Sequence, residues 1–263
     1  MIRTRTSILS VLFYCILLAA VLPLARLNSQ EVLTADRILD TLTETMNPEQ
    51  SQGIMTMTIV TSTGQERTFK YETFSKGKGN KSLMKYLAPQ RVKGQTILML
   101  NDANDIWTYF PKTKRIRKLA THAKKQKVEG SDFSYEDMGA SNTFIKEYSA
   151  IRRDDEKREG RACYKLELTR KPESSAGYSR IVMWVDKENF VPLVIDYYHD
   201  DDPKLREKQL VCSDIRLVDN IYTPFKYTMY NKLDNTQTSM EIVEIDYNVD
   251  LPDNLFTEMG MQR

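Results

Sequence analysis

The chain has 263 residues, is 41% hydrophobic and 28% charged, and carries a formal net charge of +2. This is ordinary globular composition, with enough apolar residues for a sizeable core. Arg3, Arg5 and Arg26 precede Gln30 in a stretch without acids; leaving them out turns +2 into −1, which removes any composition argument for nucleic acid.

Arg3 and Arg5 lead into an apolar run from Ile8 to Ala25, interrupted by Ser10, Tyr14 and Pro23. Residues 1–29 read as a secretory signal peptide. An uncleaved anchor is the alternative, because a spanning helix needs only ~20 apolar residues. Residues 30–263 are then an exported domain. Export invites a disulfide between the two remaining cysteines, Cys163 and Cys212. In the strand order below two strands separate them, so two buried thiols are expected instead.

The exported part opens with one helix. Thr34 caps it, Asp36 suits its first turn, and Asn47-Pro48 ends it. Ala35, Ile38, Leu39, Leu42 and Met46 share one face. Beyond Gln52 the period changes to two. Met55, Met57 and Ile59 alternate with Thr56, Thr58 and Val60, and the chain returns from Arg67 to Phe74 after a turn at Ser62–Gln65. Strands follow at Ser82–Leu87, Thr96–Leu100, Ile106–Phe110 and Lys114–Leu119. An irregular Gly/Ser/Asp-rich segment ends near Gly139. Strands resume at Ile145–Arg153, Arg161–Arg170, Tyr178–Asp186, Leu193–Tyr198, Leu205–Val218, Phe225–Asn231 and Ser239–Asn248. No helical crossovers appear, so the fold is mainly β: one antiparallel sheet of about 11–12 strands, which must curl strongly.

No nucleotide-binding glycine loop, metal-spaced Cys/His set or nucleophile elbow is present. His199 beside Asp200-Asp201-Asp202 reads as a solvated hairpin tip, and no metal or cofactor is expected. The basic run Lys112, Lys114, Arg115, Arg117, Lys118, Lys124, Lys125 and Lys127 is either a solvated face or a surface for anionic membranes and partners. Methionines at Met55, Met57, Met84, Met99, Met183, Met229 and Met240 fall on predicted strands beside aromatic residues. They make either core or an adaptable apolar surface for acyl chains.

With these residues in view, the chain resembles the LolA-like outer-membrane lipoprotein-sorting protein family. The carriers are Met55-x-Met57, Thr63-Gly64-Gln65-Glu66-Arg67, Ala88-Pro89-x-Arg91-x-x-Gly94 and Trp107-x-Tyr109-x-Pro111. Lys114–Arg117, Gly130-Ser131-Asp132-Phe133, Gly160-Arg161-x-Cys163-Tyr164, Trp184-Val185-Asp186 and Asp253–Thr257 complete the set. The resemblance implies an unclosed β-barrel over residues 30–263, with helices covering its concave face. It implies a non-enzymatic carrier of lipoprotein acyl chains or other lipids, working between an inner-membrane transporter and an outer-membrane acceptor. Lys124–Glu129, where the family is more apolar, and Lys81-Ser82, in place of an Arg-Pro step, leave the cargo open.

On this reading the trough is expected to use Met55, Met57, Ile59, Met84, Tyr86, Leu98, Trp107, Tyr109, Trp184, Phe225 and Tyr227. The lid would use Ile38, Leu42, Met46, Phe133, Tyr135 and Met138, and docking Lys114, Arg115, Arg117 and Lys118. A monomer is expected. The alternatives are an envelope sensor that docks on a membrane protein through the basic hairpin, and a lipid hydrolase using His199 or Ser131-Asp132.

Overall fold

The computed structural model describes residues 33–139 and 143–262; the export segment read over residues 1–29 lies outside the described residues. Helix α1, Ala35–Met46, starts where Thr34 Oγ1 accepts the Arg37 N–H at 3.2 Å. It ends at Asn47, whose N–H reaches the Thr43 carbonyl. Its buried stripe is Ala35, Ile38, Leu39, Leu42 and Thr43, and each of the larger side chains contributes on the order of 2 kcal/mol by leaving water. None of the described helices is long and apolar enough to cross a membrane.

Thirteen strands follow, one more than the expected upper count. They are β1 Gln50–Val60, β2 Glu66–Lys76, β3 Lys81–Ala88, β4 Thr96–Leu100, β5 Asp105–Phe110, β6 Arg115–Lys118 and β7 Tyr148–Arg158. The series continues with β8 Arg161–Arg170, β9 Arg180–Asp186, β10 Pro192–Tyr198, β11 Arg206–Val218, β12 Ile221–Asn231 and β13 Thr236–Asp246. All belong to one antiparallel sheet in the order β6-β5-β4-β3-β2-β1-β13-β12-β11-β10-β9-β8-β7. Two meanders meet where β1 pairs with β13, and the free edges are β6 and β7, so the barrel is not closed. Hairpin chemistry explains the tight returns. Asp219-Asn220 and Glu159-Gly160 hold positive φ at both turn residues, the geometry that matches strand twist.

Residues between the two edges hold two more short helices, α2 Tyr135–Gly139 and α3 Thr143–Glu147. The latter replaces the start of the strand expected from Ile145. Strand β8 ends at Arg170 opposite Tyr148, and the last bond beyond it joins Lys171 N–H to the Glu147 carbonyl. With no partner strand further upstream, the backbone of 143–147 meets its hydrogen bonds helically.

Directly paired residues share a face, which lets the register trace the concave side. It runs through Ile106–Met99, Ile97–Met84, Met84–Thr73, Tyr71–Met55 and Met57–Met240. It continues through Tyr227–Cys212, Leu210–Ile195, Ile195–Met183 and Met183–Leu166. Helix α1, Phe133, Tyr135 and Met138 pack on this side in the main core. The other side is not bare. Leu83, Leu98, Trp107 and Tyr109 cluster with Leu251, Phe256 and Met261 of the C-terminal segment, which Lys76 and Lys81 hold through Asp253. Cys163 and Trp184 form a second cluster with Val182, Leu193 and Val194. Both cysteines are free and buried. Cys163 clusters with Trp184, whereas Cys212 pairs with Tyr227 on the concave side, so the two lie on opposite faces.

Candidate functional site

Between the concave sheet and its helical covers lies an open cavity of about 410 Å³, within the size range of small-molecule sites. Met55, Met84, Met99 and Met240 line it from four strands, beside Tyr71, Ile195, Leu210 and Tyr227. Leu42 and Met46 of α1, Phe133, Met138 of α2 and Phe144 of α3 close over it. Unbranched thioethers on several strands give a wall that can repack around chains of different shape. Below it, Tyr86 packs against Phe69 and Tyr71 with ring centroids 5.8 Å apart. Tyr71 donates to Met240 Sδ at 3.3 Å, and burial pushes its hydroxyl well above the ordinary tyrosine range.

One end of the cavity is polar. Asp137 accepts the Tyr178 hydroxyl at 2.9 Å and the Ser134 N–H at 2.7 Å. Lys208 Nζ donates to Tyr178 Oη at 3.0 Å and lies 3.5 Å from Asp137. Tyr148 donates to the Tyr178 carbonyl at 3.0 Å. This network is buried and satisfied, as a buried charged group must be. Beside it, Glu136 accepts the Gly177 N–H at 3.0 Å. Burial pushes its carboxyl up to about 7; Lys124 opposes the rise, Asp137 adds to it, and the Gly177 N–H opposes it.

The structure sorts the expected trough residues other than Phe225 into three groups. Met55, Met84 and Tyr227 line the cavity. Met57, Ile59 and Tyr86 share its face but are fully packed in the core, with Met57 paired between Phe69 and Met240. Leu98, Trp107, Tyr109 and Trp184 lie on the opposite face. There Trp184 donates to Glu156 at 2.9 Å beneath the Arg158 guanidinium. Phe225 is half-buried under Arg216, 4.0 Å from ring centroid to guanidinium carbon, and does not line the cavity. Of the expected lid residues, Leu42, Met46, Phe133 and Met138 border it. Ile38 is core, and Tyr135 packs beside Thr108. Asp137, Tyr178 and Lys208 were missed. Their only sequence signal is a lysine at an inward position of β11, two before Leu210.

The basic run divides in two. Lys124 donates to Ser175 at 3.0 Å, Lys125 pairs with Asp200 and Lys127 with Asp234, all tying the irregular segment down. Lys114, Arg115, Arg117 and Lys118 are exposed on the edge hairpin. Lys114 sits in the turn at φ 53 rather than in the strand. Lys118 pairs with Asp105 at 2.7 Å over the Trp107 ring. Ser131 Oγ bonds the Phe133 backbone, and Asp132 accepts the Thr236 and Thr238 hydroxyls, so both anchor the irregular segment to itself and to β13. His199 Nδ1 accepts the Asp201 N–H. Among the described residues no cluster of His, Cys, Asp or Glu could hold a metal.

A family model described as an uncharacterized protein matches residues 78–263. No curated protein matches the chain. Among solved structures, a candidate outer membrane lipoprotein-sorting protein domain from Vibrio parahaemolyticus is 22% identical, covering 87% of this chain and 98% of that one, with TM-score 0.79. A DUF1329 family protein from Desulfovibrio piger is 26% identical over 87% and 98%, with TM-score 0.78. A LolA superfamily protein from Nitrosomonas europaea is 23% identical over 87% and 99%, with TM-score 0.73. The chain thus belongs to the family of uncharacterized proteins whose model spans residues 78–263, and its fold is that of LolA-like outer-membrane lipoprotein-sorting proteins.

Proposed function

We propose that this protein is a non-enzymatic periplasmic carrier that holds the acyl chains of lipids or lipoproteins in the cavity under α1 and α2. The observation that carries the reading is the 410 Å³ open space walled by methionine, leucine and aromatic side chains. A soluble protein keeps such apolar surface open to solvent where it has an apolar partner to receive. Each methylene hidden from water contributes about 0.8 kcal/mol, so an acyl chain crosses an aqueous compartment only inside a carrier. The likeness to structures named for lipoprotein sorting supports the same reading.

The exposed edge hairpin supports a docking role within it. Arg115 and Arg117 have no ion-pair partner among the described residues, and β6 is a short, charged edge. Such an edge resists strand pairing and offers positive charge to an acidic patch on an inner-membrane transporter, an outer-membrane acceptor or an envelope regulator. Arg115→Glu with Arg117→Glu abolishes salt-sensitive partner capture on this reading and leaves lipid binding intact.

A fluorescent fatty acid titrated into the protein tests the carrier reading. Binding saturates in the wild type. Met55→Asp places a carboxylate at the half-buried cavity wall and weakens binding at least about tenfold while the protein stays folded. Unchanged affinity in folded Met55→Asp refutes the trough.

A further inference from the structure

A second cavity, of about 250 Å³, adjoins the first and has Glu136 and Thr143 in common with it. Its wall is polar: Asn80, Asp102, Lys124, Glu136, Lys146 and Glu147 come from five separate segments. Three observations mark it as a built space. Lys124 is 6% exposed and bonds only a neutral hydroxyl, that of Ser175. Its carboxylate neighbour in the wall, Glu136, is held toward the protonated form by burial, and Glu147 has no ion-pair partner among the described residues, so a cation and an anion that make no ion pair face the same space. Asp102 and Lys146 are already paired at 2.5 Å and supply no net charge. Finally, Ser82 Oγ is buried without a hydrogen-bond partner on the apolar cavity's wall, two residues from Asn80.

The wall is held firmly where it carries Asp102. Asn101, Asp102 and Ala103 all take left-handed φ of 54–59°, a conformation that costs energy in every non-glycine residue. The buried Ala103 Cβ packs on Gly139 of α2, where any added Cβ would come within 3.0 Å of it and 2.7 Å of Met99 Sδ. Gly139 is therefore required by the close approach of α2 to this turn, and it fixes the polar cavity against the apolar one.

Building on the carrier reading, we propose that the polar cavity receives a zwitterionic phospholipid head group while the acyl chains occupy the apolar cavity. The phosphate lies toward Lys124, the ammonium toward Glu147, and glycerol-level oxygens reach Ser82 and Asn80. A purely anionic head leaves Glu147 facing like charge. A bare diacylglycerol leaves both charges unmet.

The test is displacement of a bound fluorescent fatty acid by dioctanoyl lipids that differ only in head group. Phosphatidylethanolamine displaces the probe at about tenfold lower concentration than phosphatidylglycerol or diacylglycerol. Glu147→Gln and Asn80→Ala collapse that preference, with each variant's displacement curves referred to its own directly measured probe affinity. Equal displacement by all three lipids, or a preference unaltered in both variants, overturns the head-group assignment with the trough intact. A diacylated lipopeptide that outcompetes phosphatidylethanolamine also overturns it, in favour of a peptide end. Failure of the probe to bind removes the trough reading and this proposal together.

Discussion

Glu136 gives the protein a pH-dependent stability that can be worked out from its surroundings. It is 6% exposed, and burial raises its carboxyl from the usual 4.5 to about 7. Below about 4.5 both folded and unfolded chains carry the proton, and the stabilising difference is fully present. Between 4.5 and 7 the unfolded chain releases the proton while the folded one retains it, so stability falls by up to about 1.4 kcal/mol per pH unit. The loss totals roughly 3 kcal/mol and levels off above 7. Glu136→Gln keeps an acceptor for the Gly177 N–H and cannot titrate. Urea unfolding followed by circular dichroism, from about pH 4.5 to about pH 8, compares the two proteins. The wild type loses stability relative to the variant across that window, and the gap is constant beyond it. Parallel stability curves for the two proteins refute the argument.

Other consequences follow from burial and pairing. Met57→Asp, unlike Met55→Asp, puts a carboxylate into a fully buried site between Phe69 and Met240 and yields no folded protein, as a circular dichroism spectrum checks. Lys208→Met strips the cation from buried Asp137 and costs about 3–5 kcal/mol in urea unfolding; a loss under about 1 kcal/mol contradicts the network. Cys212, pushed up to about 12 by burial, and Cys163, also raised, are free. Both resist thiol reagents until the chain unfolds, and reductant leaves the melting temperature unchanged. Rapid native labelling contradicts their burial.

The strands were legible in the sequence because period-two alternation and turn chemistry act locally. Each segment assigned to a strand holds one of the thirteen, and the α1 stripe falls on Ala35, Ile38, Leu39 and Leu42 as its spacing demands. The faces were less legible. Strand β4 is buried at four successive residues, Thr96–Met99, because helices and irregular chain cover one side and the C-terminal segment the other. Alternation disappears in a strand covered twice, so nothing local in the sequence separates Leu98 and Trp107 from Met84. The bulge between Ile54 and Met55 and the depth of α1 separate Met55, at the cavity, from Met57 in the core; neither leaves a local mark. Asp137, Tyr178 and Lys208 meet only through tertiary register, across more than seventy positions of chain. The basic run looked uniform, yet Lys124, Lys125 and Lys127 have partners as distant as Asp234.

Native mass spectrometry of the protein isolated from its own compartment without detergent tests the central claim most directly. The account predicts discrete added masses that match phospholipid or acylated peptide, lost in Met55→Asp. A protein that emerges without added mass, and gains none after incubation with phospholipid and lipopeptide, contradicts it.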